Sequence, residues 1–316
     1  MISRTTPPIP MIDTPSISPI EAFCDASRLC YSVAGAGERA VVLLHGWGDT
    51  KEIWRATLAV LSSRARVFAP DLPGHGGSPR DGAGRMQDVA ARVAAFCNAQ
   101  GIDQIALVGH SMGGNVALEL TLTHPHLVER LALVAPAALA AAMPPYTRFY
   151  LHHRYGWAAL RTSLLFYRGI NALSHHWRLI ASIERILPGL RRAACAAHHD
   201  PEGLHRLLNG LFANSLDDRL DQVHVPTLVI SGALDAVVPA ALSRRVASAI
   251  PGARFILIRG ALHHPMDDQP EAFQRVLIEF LAWRTSGRAE SAIDPLCPPH
   301  QAFQWRPMQL AQRHQR

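Results

Sequence analysis

The residues best suited to chemistry form one short string, Gly109-His110-Ser111-Met112-Gly113. It follows the apolar run IALV (105–108) and opens NVALELTLTH, a stretch with helical character. A serine between strand and helix sits on a sharp turn, whose strained dihedrals lift the hydroxyl clear of the sheet. The flanking glycines let neighbouring backbone approach without a clash. The helix N-terminus favours the negative charge that a serine nucleophile generates. A bare G-x-S-x-G string also describes an ordinary glycine-rich turn; the strand before it and the helix after it set this one apart. A second string, His45-Gly46-Trp47-Gly48, follows VVLL (41–44). Its glycines permit unusual backbone angles at a strand end, so the N–H groups of Trp47 and Met112 can face a developing oxyanion together. The His45 side chain is read as shaping the turn. A third string, DLPGHGGS (71–78), follows RVFAP (66–70) and is read as a structural loop in which His75 and Ser78 hydrogen-bond.

HGWG, DLPGHGGS and GHSMGG, in this order and at these intervals, resemble the α/β-hydrolase superfamily over about Leu29 to Trp283. Within it the likeness is to the capped esterases, lipases, C–C hydrolases and cofactor-free perhydrolases. The resemblance implies a mostly parallel sheet with helices on both faces and a helical cap insertion. It makes Gly109, His110, Ser111 and Gly113 a nucleophile elbow. It also implies an acid after a late strand in a G-x-x-D pattern. Gly232-Ala233-Leu234-Asp235 matches that pattern after LVIS, with Val238-Pro239 next. The family's catalytic histidine follows the last strand, which places it at His263, with His264 as the alternative, within Gly260-Ala261-Leu262-His263-His264-Pro265. Two departures stand out: Leu262 occupies a position that is usually glycine, and His264 one that is often aromatic.

The implied roles are chemically coherent. A serine hydroxyl needs a base to take its proton, and an imidazole titrates near working pH. A buried carboxylate fixes the imidazole tautomer and stabilises the imidazolium. The order Ser, Asp, His is the one this fold uses. The expected reaction is hydrolysis of an ester, lactone or thioester, with an apolar acyl group, through an acyl-enzyme and without a cofactor. C–C bond hydrolysis and perhydrolysis run on the same triad. A non-catalytic ligand-binding receptor is the alternative of a different class, and an intact triad weighs against it.

Other features exclude more than they propose. Net charge is +6, and Lys51 is the only lysine. With no compact basic run and no nucleic-acid-binding pattern, a nucleic-acid partner is not expected. The pairs His152-His153, His175-His176 and His198-His199 are adjacent in the chain, and neighbours on a helix point in different directions; no metal is expected. Five scattered cysteines fit a reducing compartment rather than a disulfide framework. There is no signal-peptide pattern, and the longest apolar run is too short to span a bilayer. A cytoplasmic protein is expected. The segment 137–222 carries ten arginines and six acids. These are read as polar faces of lid helices, with contact at an anionic membrane surface as the lesser reading.

The elements that must position these residues follow from periodicity. VVLL, RVFAP, IALV, LALV (131–134), LVIS (228–231) and FILI (255–258) are apolar without alternation, as a sheet buried on both faces requires. Helices are expected after Asp49-Thr50, whose side chains can cap, and after Arg85, Ser111, Pro239 and Pro270. Residues 137–222 lack strand-like runs and are too long for a loop. The expected organisation is therefore an arm at 1–22, an α/β core at 23–136 and 223–284, a helical cap at 137–222 and a poorly ordered tail at 285–316.

Overall fold

A computed structural model of the chain describes residues 19–281 apart from 80, 81, 83, 153 and 173–198. Eight strands form one sheet: β1 Ile20–Cys24, β2 Leu29–Ala34, β3 Ala40–Leu44, β4 Arg66–Pro70, β5 Ile105–His110, β6 Val128–Val134, β7 Thr227–Gly232 and β8 Arg254–Ile258. Their spatial order is β1-β2-β4-β3-β5-β6-β7-β8. From β4 to β8 neighbouring strands run parallel, while β1 and β2 add an antiparallel edge. Strands β3, β5 and β7 are buried along their whole length. That burial is why their sequences are continuously apolar, since both faces are covered.

The six apolar runs correspond to β3 through β8. The hairpin of β1 and β2 was not expected, and Ile20, Glu21 and Ala22 of the supposed arm are strand residues. β8 also departs from expectation. Among the described residues it is an edge strand paired only with β7, and Phe255 to Leu257 are partly exposed rather than buried on both faces. The first 18 residues and the whole C-terminal tail lie outside the described residues.

Helices begin where the sequence indicates. They are α1 Arg55–Leu61, α2 Met86–Ala99, α3 Met112–Thr123, α4 Gly156–Ala172, α5 Pro201–Ala213, α6 Ala240–Ala249, α7 Pro265–Asp268 and α8 Pro270–Leu281. Thr50 caps the 3-10 turn Lys51–Trp54 that leads into α1, accepting from the Glu52 N–H. Asp49 does not share that task, and its side chain turns elsewhere. Asp200 caps α5 by accepting from Gly203 N–H at 2.7 Å, with Pro201 pre-set for the first turn. Between β6 and β7 the described elements are all helical: two 3-10 segments, α4, α5 and a third 3-10 segment. The rest of the expected cap, 173–198, lies outside the described residues. No described helix is long and apolar enough to cross a membrane.

Helix α3 is buried from Met112 to Thr121, which a helix apolar nearly all round must be. Burying Val116, Leu118 and Leu120 contributes about 1.5–3 kcal/mol each. One residue breaks its apolar pattern. Glu119 is fully buried, and its Oε1 accepts from Gln87 at 2.9 Å, Asn214 at 2.9 Å and Arg219 at 2.8 Å. Asn115, one turn earlier, donates to Asn214 O at 3.0 Å and accepts from Asn214 Nδ2 at 2.7 Å. This polar network joins the central helix to the segment that returns from α5 to the sheet. Arg219→Met removes the charge partner of a buried carboxylate and is expected to cost about 3 kcal/mol. Denaturant titration with an unchanged m-value measures it. A loss under about 0.5 kcal/mol would mean that the two neutral amides suffice to hold Glu119.

Candidate active site

β5 ends at His110, and α3 starts at Met112, so Ser111 alone makes the turn between them. It does so at φ 53°, ψ −116°, in the left-handed range that serine rarely adopts. Such a residue costs on the order of 1–3 kcal/mol, and it persists only where its surroundings over-determine it. Here Ser111 N donates to Val134 O at 2.9 Å, and Ser111 O accepts from Gly114 N at 2.9 Å and Ala137 N at 3.0 Å. The flanking glycines are required by space. A Cβ on Gly113 would stand 2.5 Å from His45 O and 2.6 Å from Leu44 O, and one on Gly109 would collide with the Gly113 carbonyl. Gly113 thus lets the start of α3 press against the end of β3. Met112 follows Ser111 directly, and its N–H belongs to the first helical turn and lacks an intrahelical acceptor.

The other two expected residues come from the neighbouring strand ends. β7 and β8 pair in register up to Gly232 and Ile258. The turns that follow them interlock, with Ala233 N donating to Ile258 O and Leu234 N to Ala261 O, both at 2.9 Å. Asp235 and His263 lie just beyond. His263 Nδ1 meets Asp235 Oδ2 at 2.8 Å, with the carboxylate side chain fully buried and the imidazole 13% exposed. The second carboxylate oxygen accepts from Val237 N at 2.8 Å and Val238 N at 2.9 Å. An ionised carboxylate can only accept, so Nδ1 carries the proton that faces Oδ2. This leaves Nε2 as the basic nitrogen of His263.

His264 makes a different pairing. Its Nε2 lies 3.3 Å from Asp49 Oδ2, and Asp49 in turn lies 3.5 Å from His110 Nδ1. Burial pushes the Asp49 carboxyl up, but His110 and His264 beside it outweigh that and hold the group well below the usual carboxylate range. His110 reaches His263 as well. Its Nε2 donates to the His263 carbonyl at 2.9 Å, and its ring stands 4.8 Å from that of His263. The residue beside the serine thus holds the loop that carries the histidine. Asp49 was missed because its partners lie far away in the chain, and its only local signal was that of a helix cap.

Two histidines serve the scaffold as expected. His45 Nδ1 donates to Gly46 O at 2.8 Å, while its Nε2 accepts from Leu72 N at 2.8 Å. His75 Nε2 accepts from Gly48 N at 3.1 Å, and Ser78 Oγ donates to Asp71 O at 2.7 Å. Burial lowers the pKa of both imidazoles, His75 the further, so they act as neutral donor–acceptor pairs. Trp47 faces the helical segment. Its Nε1 donates to Leu204 O at 2.7 Å, and its ring packs near Tyr150 and the buried Leu160, Leu164 and Leu204.

The chain is similar to known proteins. Residues 39–158 match a family model described as alpha/beta hydrolase fold. A pimeloyl-[acyl-carrier protein] methyl ester esterase of Edwardsiella ictaluri is 30% identical over 274 residues, spanning 82% of this chain and 99% of that one. A hydrolase from Pseudomonas aeruginosa PA01 superposes with a TM-score of 0.69 at 26% identity, over 83% of this chain and 98% of its own. An N-acyl homoserine lactone degrading enzyme, Est816, superposes with a TM-score of 0.66 at 26% identity, over 83% of this chain and all of its own.

Proposed function

Because the chain belongs to the α/β-hydrolase fold family and is an ester-hydrolysing enzyme of it, we propose that Ser111, His263 and Asp235 are its catalytic triad. The observation that carries this reading is the bond from His110, next to the strained turn at Ser111, to the His263 carbonyl, which ties the serine turn to the loop of the His263–Asp235 pair. In the reaction, Ser111 Oγ attacks the ester carbonyl while His263 Nε2 takes its proton. The N–H groups of Trp47 and Met112 receive the oxyanion. The C–O bond to the alcohol breaks as Nε2 returns the proton to the leaving oxygen. Water, deprotonated by the same nitrogen, then attacks the acyl-enzyme and frees the acid and Ser111. No cofactor enters this scheme.

Segment 137–222 acts as a cap over the serine in this reading. The hydrogen bond from Trp47 to Leu204 supports it, because it ties that segment to the oxyanion loop. The apolar group of Trp47, Tyr150, Leu160 and Leu204 favours a substrate with an apolar acyl part. The methyl ester named for the Edwardsiella relative makes an acyl methyl ester the first substrate to try. A cytoplasmic location fits Cys24, Cys30 and Cys97, which are all free thiols.

A small fluorophosphonate tests the nucleophile directly. Intact mass should rise by one adduct on the wild-type chain and stay unchanged on Ser111→Ala, in step with loss of methyl-ester hydrolysis. An adduct on both proteins would place the nucleophile elsewhere.

A further inference from the structure

Asp49, His110 and His264 gather one carboxylate and two imidazoles whose donor atoms all lie within 4.8 Å of one another. Asp49 Oδ2 is 3.5 Å from His110 Nδ1 and 3.3 Å from His264 Nε2. Hydrogen bonds between such charged groups run at about 2.7–2.9 Å, so both separations are long. These two edges, both at Asp49, match another geometry better. Donor atoms about 2.0–2.1 Å from a tetrahedral ion stand roughly 3.3–3.4 Å from one another.

The protons of His110 point the same way. Its Nε2 donates to the His263 carbonyl, which can only accept. With Nε2 so committed, Nδ1 is the ring nitrogen that faces Asp49. That nitrogen is buried, has no hydrogen-bond partner and is aimed at a carboxylate oxygen. A carboxylate oxygen and an imidazole nitrogen therefore face each other across a gap that suits a cation. Gly46 keeps one side of the gap open, since a Cβ there would stand 2.9 Å from both Asp49 Oδ2 and His110 Nδ1. A metal-bound histidine commonly gives its other N–H to a carbonyl, as His110 does here. The His264 side chain is 15% exposed, and a water would complete the tetrahedron.

We propose that Asp49, His110 and His264 form a binding site for a zinc-class divalent cation. The donor set of two imidazoles and a carboxylate suits zinc and its neighbours rather than calcium or magnesium. The earlier expectation of no metal rested on adjacent histidine pairs in the helical segment, and none of these three residues belongs to them. The ligands come from the loop after β3, the end of β5 and the loop after β8. An ion there clamps together the segments that carry Trp47, Ser111 and His263. No ligand belongs to the triad, so the ester-hydrolase reading stands whether or not the cation binds.

The test uses the full chain, stripped with a chelator and dialysed against zinc chloride, with bound metal measured by elemental mass spectrometry. Wild type should retain one zinc per chain, and zinc should raise its thermal midpoint. Asp49→Asn and His264→Gln should each weaken binding by more than the roughly 100-fold that loss of an outer-shell partner costs, and should lose the thermal shift. No zinc on wild type, or wild-type affinity in either natively folded variant, overturns the site. Should a variant not fold, cobalt substitution of the wild type decides. Intense visible bands of tetrahedral cobalt support the site, and the weak spectrum of hexaaquo cobalt refutes it.

Discussion

Ser111→Ala is expected to lower kcat for ester hydrolysis by about 10⁴- to 10⁶-fold and to leave the fold intact. The substitution removes one hydroxyl. The bonds that fix the turn all run through the backbone, from Ser111 N to Val134 and from Gly114 and Ala137 to Ser111 O, so alanine meets the same φ of 53° with the same Cβ. Circular dichroism and the unfolding midpoint should therefore stay close to wild type. Affinity for the intact ester should also persist, because the Trp47 and Met112 N–H groups and the apolar wall near Leu204 are unchanged. Some rate above the uncatalysed reaction should remain, since oxyanion donors and substrate positioning alone supply about 10³–10⁴ in comparable triads. Single-turnover kinetics on a methyl ester, with the variant checked for wild-type contamination, measures the loss. A kcat within tenfold of wild type would remove Ser111 from the mechanism.

The sequence exposes some of this site plainly and hides the rest, for physical reasons. The serine was legible because strand, turn and helix are all local: IALV, GHSMG and NVALELTLTH adjoin in the chain. Strands β3 to β7 were legible because burial on both faces leaves continuous apolar runs. The β1–β2 hairpin lacks that signature. It lies at an antiparallel edge, where β1 is mostly exposed and β2 is buried at only some positions. Asp49 was misread as a cap because a carboxylate before a helix looks the same whether it faces the first turn or two distant histidines. The Glu119 network was hidden likewise. A lone acid on a helix reads as a solvated face until α3 is found buried on all sides. Asp235 and His263 form the intermediate case. Their types and order were readable, but their contact exists only because β7 and β8 pair up to Gly232 and Ile258 and release their loops side by side.

Asp235→Asn should lower kcat by about 10⁴-fold near neutral pH, and its surroundings explain why so small a change costs so much. Asp235 Oδ1 accepts two backbone N–H groups, from Val237 and Val238, at 2.8 and 2.9 Å. An asparagine must present its carbonyl oxygen to those donors, because its NH₂ cannot accept. The NH₂ is then forced into the position of Oδ2, 2.8 Å from His263 Nδ1. Facing a donor, Nδ1 must accept, so the ring proton moves to Nε2. The nitrogen that has to take the serine proton is then already protonated. Geometry survives and the base is lost, so KM should change far less than kcat. Asp267→Asn, an exposed carboxylate only four residues past His263, provides the control and should retain wild-type kcat. Nitrogen-15 spectra of the imidazole give a second readout: wild type should be protonated at Nδ1 and the variant at Nε2. If Asp235→Asn keeps more than a tenth of wild-type kcat with Nδ1 still protonated, a different group orients His263.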